Sequence, residues 1–235
     1  GSVLQNNAQV LGIDLGKTDV LVLSHGHYDH TGGIPHALQQ SRDVNVYCHP
    51  GVVHPRYSIR NGQPKPIQMP DESMEAIGKL PSEQLHWVQQ PLFLSEKIGI
   101  TGPIPRETGY ENPGGPFYLD SEGRHEDPID DDLALWCGAE DGLVVCVGCS
   151  HAGIVNTLNQ VRRISGNPNI RAVIGGFHLL QANKQRIDQT LKALRSMSPG
   201  LLVPCHCTGN QAVQALKDTF GDQAVSCGSG MTFRF

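Results

Sequence analysis

The sequence predicts a layered α/β fold, and three observations predict it. Apolar runs of strand length alternate with helical periods through the C-terminal half of the chain. Four of the apolar runs end in a histidine. Glycine (27) and proline (16) are frequent, which suits tight turns and irregular connections. At 235 residues the chain is long enough for a sizeable core, in one large domain or two small ones.

Taken in order, Asp19-Val20-Leu21-Val22-Leu23 is a short apolar run that reads as a buried strand. Beyond the histidine cluster that follows it, Thr31-Gly32-Gly33 leads into Ile34-Pro35-His36-Ala37-Leu38, a helix with proline in its opening turn. Val44 to Cys48 alternates as the next strand. Residues 50–75 carry many prolines and glycines without a clean period and read as a long loop or insertion. Strands are expected at 84–90 and 92–95. Residues 101–130 are the least regular part, with Pro103, Pro105, Pro113, Pro116 and Pro128. A structureless stretch of that length is usually functional or mobile. Residues 132–137 and 143–147, joined by Ala139-Glu140-Asp141-Gly142, form a β-hairpin. Helices are expected at 153–164, 184–196 and 209–219, separated by the apolar runs 170–174 and 201–203. No repeat of fixed period occurs.

The formal net charge of -5 gives no electrostatic reason to expect nucleic acid. No run of 18 apolar residues is present, so no membrane span is expected. Seven cysteines, an odd number scattered through strand-like segments, do not form the framework of a small secreted protein. They point to a reducing cytoplasm, with most of the thiols acting as small apolar residues.

The chemistry lies where the strands end. Leu21-Val22-Leu23 runs into His25, Leu143 to Val147 into His151, Ala172-Val173-Ile174 into His178, and Leu201-Leu202-Val203 into His206. Strand-to-helix loops are where layered α/β folds gather functional groups. In His25-Gly26-His27-Tyr28-Asp29-His30, the two-residue spacing lets His25 and His27 turn to one ion, with Asp29 and His30 facing a second. Imidazole and carboxylate together suit zinc, iron or manganese. Two divalent ions roughly 3.5–4 Å apart can hold a bridging hydroxide and stabilise an oxyanion. Cys149, two residues before His151, is a thiolate candidate, although a buried small residue is the plainer reading; the same holds for Cys205 and Cys207. His36, His49, His54, His86 and His125 read as ordinary polar residues.

The run Ser24 to Gly33 resembles the defining loop of the metallo-β-lactamase superfamily. Gly102-Pro103-Ile104-Pro105-Arg106, Asp131-Asp132, Gly148 to Gly153, Gly175 to Leu179 and Pro204 to Gly209 extend the resemblance over nearly the whole chain. Within the superfamily these segments are similar to the dihydropterin-ribofuranosyl-aminobenzene-phosphate synthase-like branch. The resemblance implies a single domain over residues 1–235: a four-layer αββα sandwich with an irregular insertion around 50–130. It also implies metal ligation by His25, His27 and His151 at one ion and by Asp29, His30 and His206 at the other. Two departures follow. Gly148-Cys149 stands where a bridging Gly-Asp is expected, so the expectation is a thiolate in that place, or water alone, or a weakly held second ion. Relatives also begin with further strands, so the chain reads as N-terminally incomplete.

The expectation is therefore a metal-dependent hydrolase or dihydropterin-type transferase, holding two divalent ions (zinc first, iron or manganese otherwise) and acting on a phosphorylated or pterin-like small molecule. Asp29, His178 and Arg106 are the catalytic candidates, Arg106 through the planar fork with which a guanidinium takes a phosphate. An exposed sheet edge would favour a homo-oligomer. The rivals are a ligand-binding or regulatory protein that keeps the metal without turnover, a di-iron redox protein, and a nuclease. His27 stands where the redox members carry Glu, and the acidic balance disfavours the nuclease.

Overall fold

The three apolar runs of the C-terminal half lie side by side in one sheet, as their composition predicts. The computed structural model describes residues 1–41 and 43–235. It divides into two units: residues 1–89 with 116–131, and residues 90–115 with 132–235.

The first unit opens with α1 (Ser2–Val10) and β1 (Val20–Val22), followed by the one-turn α2 (Tyr28–Thr31), α3 (Ile34–Gln40) and β2 (Asn45–Cys48). A hairpin of β3 (Tyr57–Arg60) and β4 (Gln63–Pro66), then α4 (Asp71–Gly78) and β5 (Leu85–Trp87), complete its first stretch. Strands β1, β2 and β5 form a parallel sheet in that order. Its apolar side buries Leu23, Val46, Cys48, Val52, Met69 and Ile77 together with Ile34 of α3. The expected buried strand at 19–23 is only half buried, with Val20 exposed, because β1 is the edge of its sheet.

Residues 50–75 are not a structureless loop. Asn61 and Gly62 both have positive φ (51° and 73°), and Arg60 pairs with Gln63 across them. That is the two-residue turn which Asn-Gly favours in a β-hairpin. Pro64 and Pro66 obscure the alternation, yet β4 tolerates them because it is the edge of the sheet β4-β3-β8, where β8 is Phe117–Tyr118. Pro70 precedes α4, and Asp71 and Glu72 occupy its first turn, where the helix dipole favours negative charge.

The second unit is built on a six-stranded sheet. Its strands are β6 (Leu92–Ser95), β7 (Ile98–Ile100), β9 (Ala134–Ala139), β10 (Gly142–Val147), β11 (Ile170–Gly176) and β12 (Leu201–Cys205). Their order is β12-β11-β10-β9-β7-β6. The expected hairpin is the antiparallel pair β9–β10, while β10, β11 and β12 are parallel and joined by helices. Those helices are α5 (Ile154–Ser165) and α6 (Lys184–Met197), with α7 (Asn210–Phe220) after β12. All three fall within a residue or two of the helical periods in the sequence.

Helix α5 buries Ile154, Val155, Leu158 and Val161, one apolar stripe at helical spacing. It lies in a core with Val145, Val173, Phe177, Leu194, Leu202 and Leu216. Each of these side chains contributes about 1.5–3 kcal/mol on burial. Gly166 ends the helix in the left-handed conformation at φ 68°. Because β10, β11 and β12 run parallel, their C-terminal ends lie at one edge of this sheet, and Cys149-Ser150-His151, His178 and His206 follow directly after them.

Candidate metal centre

In the first unit the loop after β1 gathers three imidazoles. His25 Nε2 and His27 Nδ1 lie 3.0 Å apart, and both rings are buried. The His30 ring centroid is 4.3 Å from that of His25. Asp29 is exposed and faces His30, with Oδ2 3.5 Å from Nε2. The loop is held from outside. Gly26 N donates to Asp131 Oδ2 at 2.8 Å, and a Cβ on Gly26 would stand 2.3 Å from the Val52 carbonyl oxygen, so only glycine fits there. Asp131 is paired with Arg56 (2.5 Å), which also meets Asp127 at 3.1 Å, and Arg56 is 1% exposed. Burial, and after it the Arg56 charge, depress His27 to about 4. Its imidazole is therefore neutral near pH 7, as a metal ligand requires.

The second unit also holds a cluster of donors. Ligand atoms of Cys149, His178 and Cys207 all lie within 4.8 Å of one another. The His178 ring lies 4.2 Å from that of His151, and Cys207 Sγ lies 3.5 Å from the Cys149 carbonyl oxygen. A hydrogen bond from Cys149, and then the neighbouring His178 and His206, hold the Cys207 thiol well below the usual thiol range. Ser150, His178 and His206 all have left-handed backbone (φ 52°, 49° and 49°) without being glycine. Such residues cost of order 1 kcal/mol or more each and gather at functional sites. His206 is exposed, whereas His151 is buried.

His151 is held on three sides. Arg106 Nη1 donates to its carbonyl at 2.6 Å, its Nδ1 lies 3.2 Å from the Pro113 carbonyl, and Ala152 N donates to Asp132 Oδ2 at 2.8 Å. Glu111 reaches the start of α5, where its carboxylate accepts from Val155 N and Asn156 N, each at 2.9 Å, and from Thr108 Oγ1. Gly153, at φ 99°, permits this approach, since a Cβ would stand 2.3 Å from the Glu111 carboxyl. Burial pushes the Glu111 carboxyl up, against the pull of those hydrogen bonds. The irregular stretch expected at 101–130 thus contains the clamp on His151.

The donors brought together are imidazole and carboxylate in the first unit and imidazole and thiol in the second, and both sets suit a divalent transition metal. Cys207, Glu111 and the Arg56–Asp131 pair carry no periodic signal. The Cys-x-Cys flanking His206 is the one hint of Cys207 in the sequence. His86 is accounted for structurally: it stacks on Tyr47 and lies 2.9 Å from Asn45 Oδ1.

This chain belongs to the metallo-β-lactamase superfamily, whose family pattern matches residues 1–155. It is similar to the 7,8-dihydropterin-6-methyl-4-(beta-D-ribofuranosyl)-aminobenzene-5'-phosphate synthase of Methanocaldococcus jannaschii. The two are 29% identical over 97% of this chain and 79% of that protein. An uncharacterised protein of the same archaeon is 29% identical over 84% of this chain and 72% of its own length. Among solved structures, Tm1679, a metal-dependent hydrolase of the β-lactamase superfamily, matches all of this chain and 86% of its own, with TM-score 0.83 and 27% identity. The Zn(2+)-bound PqqB of Methylobacterium extorquens shares the fold at 11% identity, over 92% of this chain and 73% of that one, with TM-score 0.52. The α/β class expected from the sequence is the class observed.

Proposed function

We propose that this protein is a metal-dependent enzyme acting on a phosphorylated small molecule through two divalent ions, zinc foremost. The observation that carries the proposal is the buried pair His25 and His27, with ring nitrogens 3.0 Å apart and His27 held neutral by its surroundings. In this reading His25, His27 and His151 would hold one ion and Asp29, His30 and His206 the other, with Cys149 as a further donor. Bound divalent ions would supply Lewis acidity, drawing charge from an oxygen of the substrate or of water.

The protein's own groups orient and move protons. His178, against the His151 ring, is the residue to hold a proton at an imidazole nitrogen for the departing group. Asp29 orients His30 by its carboxylate. Arg106 acts through His151, fixing its carbonyl and with it the direction of the imidazole. The likeness to a relative named as a phosphate-containing pterin synthase favours transfer to or from a dihydropterin, and the likeness to a metal-dependent hydrolase favours hydrolysis. The test is metal content per chain for wild type and the double variant His25→Ala/His27→Ala, purified side by side. About two ions in the wild type, lost together with phosphoester or pterin-diphosphate turnover in the variant, is the expected result. A wild type without stoichiometric metal after reconstitution would overturn the reading.

A further inference from the structure

Helix α6 carries in its first turn a buried cation that the chemistry above does not use. Arg186 is 7% exposed, and its Nη1 donates to Asn112 Oδ1 at 2.8 Å. Its Nε and Nη2 are buried and have no hydrogen-bond partner among the described residues. These two nitrogens form one edge of the guanidinium, with parallel N–H bonds. That edge matches two oxygens of a phosphate or carboxylate. The acidic group that acts on Arg186 is Glu111, but its carboxylate oxygens are taken by Val155 N, Asn156 N and Thr108 Oγ1. One turn further along, Thr190 is fully buried and its Oγ1 likewise has no partner. Residues four apart share a face of a helix, so the unused donors of α6 lie on one side of it.

The position of this edge matters. Gly114 lies against both Arg186 and His178: a Cβ there would stand 3.7 Å from Arg186 Nη1 and 2.6 Å from His178 Nε2. The guanidinium is thus a neighbour of the imidazole that stacks on His151. Burying a guanidinium with three of its five N–H donors unmet is costly, and such a group calls for a partner such as an ion, a water or a ligand.

We propose that Arg186 and Thr190 form an oxyanion site beside His178 that takes the phosphate of the substrate. The site rests on the functional reading above and names the part of the substrate it recognises. Because Nε and Nη2 are buried, the groups packed around them must give way to admit the anion. The dipole at the start of α6 adds attraction for negative charge.

The test is calorimetric titration of inorganic phosphate into the full chain, freed of metal by a chelator that is then dialysed away. Metal-bound phosphate cannot contribute under those conditions. Wild type should bind, Arg186→Gln should bind at least about tenfold more weakly, and the exposed same-helix control Arg195→Gln should match wild type. Arg186→Lys and Thr190→Val, which keep the charge and the volume respectively, should each weaken binding and keep the thermal transition if Arg186→Gln fails to fold. Wild type that does not bind phosphate, or Arg186 and Thr190 variants that bind like wild type, would overturn the inference and leave the metal reading intact. Acetate competing as well as phosphate would overturn the assignment to phosphate. Binding that persists in His25→Ala/His27→Ala supports the site even where the metal reading fails.

Discussion

Replacing Asp131 by alanine should destabilise the first unit far more than any surface change, because Asp131 joins a buried charge to the histidine loop. Its Oδ1 pairs with Arg56 and its Oδ2 accepts from Gly26 N, and both side chains of the ion pair are almost fully buried. Truncation leaves Arg56 with Asp127, at 3.1 Å from Nε, and the Gly51 carbonyl, at 3.2 Å from Nη2, and leaves the Gly26 N–H without its acceptor. Breaking a buried pair costs about 3–5 kcal/mol; the remaining Asp127 keeps this case at the low end, and the lost backbone bond adds about 1 kcal/mol or more. A total of about 4 kcal/mol, at a urea slope of roughly 2 kcal/mol per molar, lowers the midpoint by about 2 M. The chain's two tryptophans lie one in each unit, Trp87 and Trp136, so a Trp136→Phe background lets fluorescence follow the first unit. The control is Glu75→Ala, which removes an exposed ion pair to Lys79 of at most about 1 kcal/mol. A midpoint change for Asp131→Ala no larger than the control's would refute the reasoning.

Three further outcomes are expected. Glu111→Ala removes the acceptor for two amides at the start of α5, which should cost about 1–2 kcal/mol and lower the melting temperature measured by circular dichroism. In metal-free protein, His27 has a folded value of about 4 against an ordinary 6.5. Its contribution to stability is therefore complete above pH 6.5 and falls away as pH drops through about 4, by about 3 kcal/mol in all. Urea midpoints across that window should fall for wild type and flatten in His27→Gln. Glu111 and Asp127, whose carboxyls burial pushes up, act in the opposite sense and reduce the measured slope. Finally, Arg106→Ala frees the His151 carbonyl and should weaken zinc retention against a competing chelator without changing the far-ultraviolet spectrum.

Two kinds of information were present in the sequence alone. Helical and strand periods located α5, α6, α7 and β9 to β12, because burial on one face imposes a repeat that local composition records. The strand-end histidines were legible for the same reason, since each follows an apolar run that must stop where the chain turns. The Asn61-Gly62 turn was equally local, but Pro64 and Pro66 hid the alternation beside it, and only the edge position of β4 explains why they are tolerated. The remaining features were decided by tertiary structure. Arg56 meets Asp131 75 positions away, Glu111 reaches amides 44 and 45 positions on, and Arg186 meets Asn112 across 74. No repeat or spacing marks such pairs, because what joins them is closure of the chain into a core. In the sequence Arg106 is the candidate to pair with a phosphate, and nothing singles out Arg186. The fold sets Arg106 Nη1 on the His151 carbonyl and buries Arg186 with one edge unmet among the described residues; burial, which sets the cost of an unpaired charge, exists only once the chain has folded.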